Sequence, residues 1–452
     1  MKKSLLTCLS LITSSIVFGQ FSPAITSWIQ NTTGLTGSHY VNGNSTPITD
    51  NALANVISVQ YSADWVYVRA NGIPAYTTGP FLDGNPSSAT AQNGYYKISL
   101  NPVPNSGTPT ATNMGNIGVF INGIGLFDDR DGVSWRTASG ALAGGPLGGM
   151  GDMVWNRDAI VAERAGFDCS KGHPAMGNYH HHQNPSAFNL DLQEISNVCD
   201  LYLADGLYVI DSTTHSPLIG FAYDGFPIYG AYGFKNADGT GGITRIKSGY
   251  QLRNITTRTV YANGTDVNDG PPVNATYPLG FFREDYEYIA PSAGNEDILD
   301  VHNGRNCVTP EYPQGTYAYF TTVDENWNSA FPYVVGLTFY GTKTASKVQN
   351  ITETVTTYDP ITTSISSTDA AKVVVYPNPS SEVFGIQVPG NTQKTWNVEL
   401  IDLAGKKVME TKINPGSTIG FFDVRTVYDG QYTVVMKSGN ETITKTVVVA
   451  HE

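Results

Sequence analysis

The chain has 452 residues, a formal net charge of −13 and only 14% charged side chains. That length leaves room for two or three domains with cores of their own. The acidic balance, with no stripe of Lys or Arg, argues against a nucleic-acid partner, whose binding depends on clustered basic groups.

The N-terminus, MKKSLLTCLSLITSSIVFGQ, reads as a secretory signal over residues 1–19. Lys2 and Lys3 form its charged start, Leu5 to Phe18 its apolar stretch, and Val17 and Gly19 suit cleavage before Gln20. The stretch is too short to span a bilayer, and no later segment is apolar enough to do so. Cys8 lies inside the apolar stretch, which disfavours a lipid anchor. The expected location is therefore secreted or cell-surface, where thiols meet an oxidising compartment. Cleavage leaves Cys169, Cys199 and Cys307, so one thiol is left over. Cys169 and Cys199 are the expected disulfide, because they bracket a histidine-rich stretch, with Cys307 then buried, reactive or a ligand. The other two pairings stay open.

Residues 21–341 are rich in Tyr, Gly, Pro and Asn, with short apolar runs between turn signals. VISVQYSADWVYVRANGIP predicts two strands broken near Ala63 and Asp64 and stopped at Asn71-Gly72. NIGVFINGIGLF, Asn116 to Phe127, predicts two short strands around Asn122-Gly123. GTYAYFTTV and FPYVVGLTFYG predict further strands. NVCDLYLADGLY is the one helical candidate and ends at Gly206. Residues 342–371 are Thr/Ser-rich and read as an exposed linker. Residues 372–452 alternate apolar and polar positions between Gly, Asn and Pro turns, as a small antiparallel β-sandwich does. The expected fold class is mainly β: a turn-rich N-terminal domain with few short helices, plus that sandwich.

The last region carries YPNP at Tyr376 to Pro379, IDLAGKKV at Ile401 to Val408, DGQYTVVM at Asp429 to Met436 and a terminal KTVVVA strand. In this order they resemble the C-terminal sorting domain of the type IX secretion system. The resemblance implies that the type IX machinery is a partner, and that the tail is an address rather than a catalyst. An adhesion module is the competing reading.

GHPAMGNYHHHQNP, Gly172 to Pro185, holds four of the chain's eight histidines. In a strand, His180 and His182 share one face while Tyr179 and His181 share the other. Two imidazoles so placed can converge on one ion, and His173 returns to them if the Pro-Ala-Met-Gly segment turns the chain. Neutral imidazole suits copper or zinc among other transition metals. The candidate metal ligands are therefore His180, His182 and His173, with Asp224 and His302 further candidates. Three ligands would leave a fourth position for water or substrate. HxH alone lacks the two-pair spacing of a structural zinc site, so histidines packed on tyrosines and bonded to backbone carbonyls remain the alternative. His39, His215 and His451 have no such company and read as surface or loop residues.

The fragments YVRANGIP, IGVFINGIGLFD, DCSKGHPAMGNY, YHHH, GFAYDGFPIYG and NGRNCVTPEYPQGTYAYF together resemble the YHYH domain family of exported bacterial proteins. His181 stands where the family's motif has its second tyrosine. The resemblance implies a fold neighbourhood and no reaction, so whether the chain is an enzyme stays open. DDRDG at Asp128 to Gly132 and DVNDG at Asp266 to Gly270 lack the closing Glu of a calcium loop and read as polar turns. Asp300 and Glu311 are a possible carboxylate pair of the glycoside-hydrolase kind, of a sort any acid-rich chain offers. Three functions survive: a surface protein binding copper or zinc, a carbohydrate- or protein-binding module with structural histidines, and a hydrolase of unrecognised type.

Overall fold

The computed structural model describes residues 21–83, 88–186, 199, 201–202, 206–359, 373–388, 395–402, 406–414, 417, 419–438 and 441–451. The signal stretch and half of the helical candidate Asn197 to Tyr208 lie outside these. The chain divides into two compact units, Met1–Tyr358 and Asp359–Glu452. Both are mainly β, with few and short helices.

In the first unit, Val56–Tyr61 and Trp65–Ala70 pair antiparallel as the centre of a five-stranded sheet. The break between them falls where Ser62 caps the turn with hydrogen bonds from Asp64 and Trp65. The edges of this sheet are Ser346–Val348 and Thr356–Tyr358. Part of the stretch expected as a linker is therefore folded into the first unit. The physical reason is that Thr suits a pleated edge exposed on one side, so a low apolar content does not exclude a strand there.

An eight-stranded sheet forms the other large layer, and two of its neighbour pairs are parallel. Its centre, Asn116–Phe120 beside Leu218–Ala222, is buried on both faces. That accounts for continuous apolar runs rather than alternation at Leu218–Ala222. At one edge lies a hairpin of His173–Ala175 and Asn178–His181, with His173 opposite His180. Its tip has Met176 and Gly177 at φ 51° and 84°, the two positive values of a type I′ turn. Gly177 is also required sterically, since a Cβ there would lie 2.1 Å from Thr90 Oγ1.

FPYVVGLTFYG is not a strand. Phe331, Tyr333, Val334, Val335 and Phe339 are all buried, but the backbone is satisfied one group at a time. Gly336 N–H donates to His302 O and Phe339 N–H to Thr110 O. Burial on several sides removes the alternation that a half-exposed strand shows, and the same run of apolar residues serves as an irregular core segment.

Loop 253–285 is organised by a fully buried ion pair. Arg258 donates from Nε to Asp285 Oδ1 at 2.7 Å and from Nη2 to Oδ2 at 2.8 Å. Its remaining donors reach the carbonyls of Pro271 and Pro278, and Asp285 also accepts from Gly280 and Phe282 N–H. Removing one partner leaves an uncompensated charge in the interior. Asp285→Ala is expected to cost about 3–5 kcal/mol of unfolding free energy, measured by urea denaturation. A loss of less than about 1 kcal/mol, the usual worth of a surface pair, would contradict this account of the loop.

In the second unit, Val374–Tyr376, Val383–Gln387 and Ile419–Asp423 form one sheet, and Trp396–Ile401, Lys407–Ile413, Gly430–Ser438 and Glu441–Val449 the other. Trp396, Val398 and Leu400 are buried while Asn397 is exposed. With Phe384, Ile386, Phe422, Val434 and Met436 they form a core of the tail's own side chains. This is the sandwich expected from the alternation.

Candidate metal centre

The centre is built by the edge hairpin and one short helix. Strand alternation puts His180 and His182 on one side of the hairpin and Tyr179 and His181 on the other, and the cross-strand pairing brings His173 to His180. Asp158 N-caps the helix Ala159–Glu163 by accepting from Ile160 and Val161 N–H. Tyr333 fixes the other oxygen of that carboxylate at 2.7 Å. The helix ends on Glu163, whose carboxylate faces the hairpin histidines.

The ligand atoms of His173, His180 and His182 lie within 4.8 Å of one another. His180 Nε2 is 3.0 Å and His173 Nε2 3.4 Å from His182 Nε2. Glu163 Oε2 lies 3.2 Å from both His173 Nε2 and His182 Nε2. All three rings are buried, with no more than 4% exposure, and Glu163 is the most open of the four with its side chain 22% exposed. A tetrahedron with bonds of 2.0–2.1 Å has edges of about 3.3–3.4 Å. Four of the six separations among these atoms, 3.0–3.4 Å, are close to such an edge, and the three histidines form the mutually close group.

The rings are held from behind. His180 Nδ1 donates to Asn178 O at 2.8 Å and His182 Nδ1 to Asp128 O. A proton fixed on Nδ1 leaves the Nε2 lone pair free to ligate. Phe127 stacks on His180 at 3.7 Å between centroids, and Phe167 meets His173 edge-on at 5.0 Å. Burial, then the neighbouring His173 and His182, holds His180 well below its ordinary range. Burial also opposes charge on His182, but Glu163 outweighs it and raises that ring to about 9. Burial pushes the Glu163 carboxyl up, and His173 and His182 overcome this and hold it well below the usual carboxylate range. Glu163 and His182 thus favour each other's charged forms.

The opposite face of the hairpin is structural. Tyr179 donates to Asp168 Oδ2 at 2.9 Å, and the N–H groups of Gly79, Ser170 and Gly172 converge on the same carboxylate. Burial raises Asp168 to about 7. His181 is fully buried, contacting Tyr76 Oη at 2.8 Å and Lys171 O at 3.0 Å. Cys169 and Cys199 form the disulfide, with Cα atoms 5.7 Å apart. It closes the segment that contains the hairpin.

Asp224 and His302 are not part of the three-histidine group. Asp224 is a buried acceptor for Tyr319 Oη at 2.6 Å and Gly341 N–H at 2.8 Å. His302 Nδ1 contacts Thr338 Oγ1 at 2.8 Å. Cys307 is a buried free thiol, raised by burial. Asp300 and Glu311 each answer a different tyrosine, Tyr317 and Tyr229. In DDRDG, Asp128 pairs with Arg130, Asp129 with Arg283 and Asp131 with Arg157. Internal cations, not calcium, balance this acidic run. His39 pairs with Asp50 and His451 with Asp429, while His215 packs between Tyr229 and Phe234 and is less exposed than expected.

Sequence reading missed Glu163. Its one local signal is Asp158 ahead of an apolar run, an N-cap pattern. A carboxylate in the last turn opposes the helix dipole, which marks a position held for another reason.

No helix among the described residues is long and apolar enough to cross a membrane. No curated protein matches the chain. Among solved structures, a Bacteroides vulgatus protein with an immunoglobulin-like β-sandwich fold aligns at 14% identity, covering 17% of this chain and 83% of its own, with a TM-score of 0.15. Dimeric latent PorU from Porphyromonas gingivalis aligns at 18% identity, covering 18% of this chain and 9% of its own, with a TM-score of 0.16. These likenesses are too slight to carry an argument. Family profiles are more decisive. Residues 374–450 match the secretion system C-terminal sorting domain, whose presence marks a secreted or cell-surface protein handled by the type IX machinery. Residues 95–332, more than half of the chain and including the whole centre, match the YHYH protein profile, and the chain belongs to the YHYH family.

Proposed function

We propose that this exported protein binds one transition-metal ion through Nε2 of His173, His180 and His182, with Glu163 as the fourth ligand. The observation that carries the reading is the convergence of three buried imidazoles whose ligand atoms lie within 4.8 Å of one another, two with Nδ1 turned to backbone carbonyls, with Glu163 Oε2 3.2 Å from His173 and His182 Nε2. Three imidazoles and a carboxylate, with no thiolate, suit zinc or copper(II) over copper(I). The ion would join the hairpin to the helix end. Glu163 then takes the position that three histidines alone would leave to water. Because Glu163 is the most open of the four, an outside ligand would reach the ion beside it or in its place. A catalytic role would need that displacement.

Elemental analysis of the mature protein, purified under zinc- and copper-replete conditions, is the test. About one tightly held equivalent per chain is expected, removable by a chelator with loss of thermal stability, since binding to the folded state stabilises it. A metal-free protein with unchanged stability in zinc and copper would leave the histidines as structural groups.

A further inference from the structure

The first unit has a second candidate site, lined by none of the histidines. Tyr250–Leu252 and Tyr286–Tyr288 pair antiparallel, with Tyr250 opposite Tyr288. Strand alternation puts Tyr286 on the same side as Tyr288. These three tyrosines, with Arg283, Glu284 and Glu287, line a cleft of about 530 Å³, within the range of small-ligand sites.

The walls are fixed in advance. Tyr286 stacks on Phe331 at 4.1 Å and 7° between planes, Tyr250 meets the same ring edge-on at 5.4 Å, and Tyr250 lies 5.5 Å from Tyr288. Tyr250 Oη donates to Val301 O at 2.8 Å. Glu284 accepts from Asn156 N–H and Nδ2, both at 2.7 Å.

Arg283 is the group that points to a ligand. It is only 8% exposed. Its ion pair is with Asp129, Nε to Oδ2 at 3.2 Å, and its guanidinium donates no hydrogen bond to any described residue. Compare Arg258, deeper at 1% exposure, whose guanidinium donates five. An arginine that lines an aromatic cleft, with donors not spent on protein acceptors, can offer them to acceptor oxygens from outside.

Charge then narrows the class. Asp129 already balances Arg283 and Glu287 adds negative charge to the lining, while burial raises the Glu284 carboxyl to about 7. A carboxylated or sulfated ligand would meet repulsion. A neutral polyhydroxylated ligand would not: its C–H faces lie on tyrosine rings, its hydroxyls accept from Arg283 and donate to the glutamates. We infer that this cleft binds a neutral oligosaccharide. This is independent of the metal reading.

The test is calorimetric titration of the mature protein with cellotetraose, maltotetraose and chitotetraose, and with tetragalacturonate as the charged control. At least one neutral probe is expected to bind, with tetragalacturonate weaker. Tyr288→Ala, at the half-exposed wall, should weaken that binding roughly tenfold or more while leaving the melting temperature nearly unchanged. Arg283→Met should weaken it as well, and Tyr288→Ala keeps the test decisive if that variant unfolds. Binding of no neutral probe, preference for tetragalacturonate, or undiminished binding by Tyr288→Ala would overturn the inference.

Discussion

His180→Ala and His182→Ala are expected to abolish metal retention, whereas His181→Ala keeps it and loses stability. The three residues are consecutive, so composition and local sequence are nearly constant across the set, and only the face of the hairpin differs. His180 and His182 present Nε2 to the shared centre. His181 is bonded to Tyr76 and Lys171 on the far side and packs edge-on to Phe120 and Tyr179. Loss of one ligand from a four-ligand site should lower affinity by orders of magnitude, because the chelate loses a bond and gains a buried cavity. Truncation of fully buried His181 removes two hydrogen bonds and its packing, a cost of about 2–4 kcal/mol. His181→Gln, which keeps donor and acceptor groups, serves where the alanine variant is too unstable. Elemental analysis beside urea denaturation reads both quantities. Equal metal content in all three variants would show that the hairpin face does not matter, and the metal reading would fail.

Deletion of residues 372–452 is expected to leave the protein in the periplasm. The tail's core is made from its own side chains, including Phe384, Trp396, Leu400 and Val434. The first unit has a separate core built on Val68, Val119, Phe221 and Tyr319, so the shortened chain keeps what it needs to fold. What it loses is the sorting domain matched at residues 374–450. Fractionation followed by immunoblotting should move the signal from surface and medium to periplasm. Undiminished surface or medium levels would contradict the assignment of the tail as an export address.

Much of this architecture is legible in sequence, for reasons that differ by element. The strand Trp396–Ile401 of the tail declares itself by alternation, whereas Val56–Tyr61 and Trp65–Ala70 declare themselves by β-branched and aromatic residues between turn signals. Asn122-Gly123 marks its hairpin because the turn needs a residue that tolerates positive φ, and Gly123 has φ 81°. FPYVVGLTFYG misleads because burial without regular pairing leaves the same apolar signature as a strand. The edge strands at 346–348 and 356–358 hide in a Thr-rich stretch because edges need little apolar surface.

The centre is legible only along the chain. His180 and His182 are visible from spacing alone, and His173 from a turn of the right length. Glu163 is not, because ten residues and a helix-to-strand change separate it from His173, and contact across such a gap is a tertiary fact. Asp224 and His302 fail for the converse reason: suitable residue types attract attention wherever they stand, and the fold spends these two on Tyr319, Gly341 and Thr338.

X-ray absorption at the metal edge of the zinc-loaded mature protein tests the centre most directly. The account predicts a first shell of three nitrogens and one oxygen at about 2.0–2.1 Å, with the outer-shell scattering of imidazole, and loss of the oxygen contribution or its replacement by water in Glu163→Ala. A shell containing sulfur, a shell without imidazole scattering, or zinc held no more tightly by the wild type than by His180→Ala would contradict it.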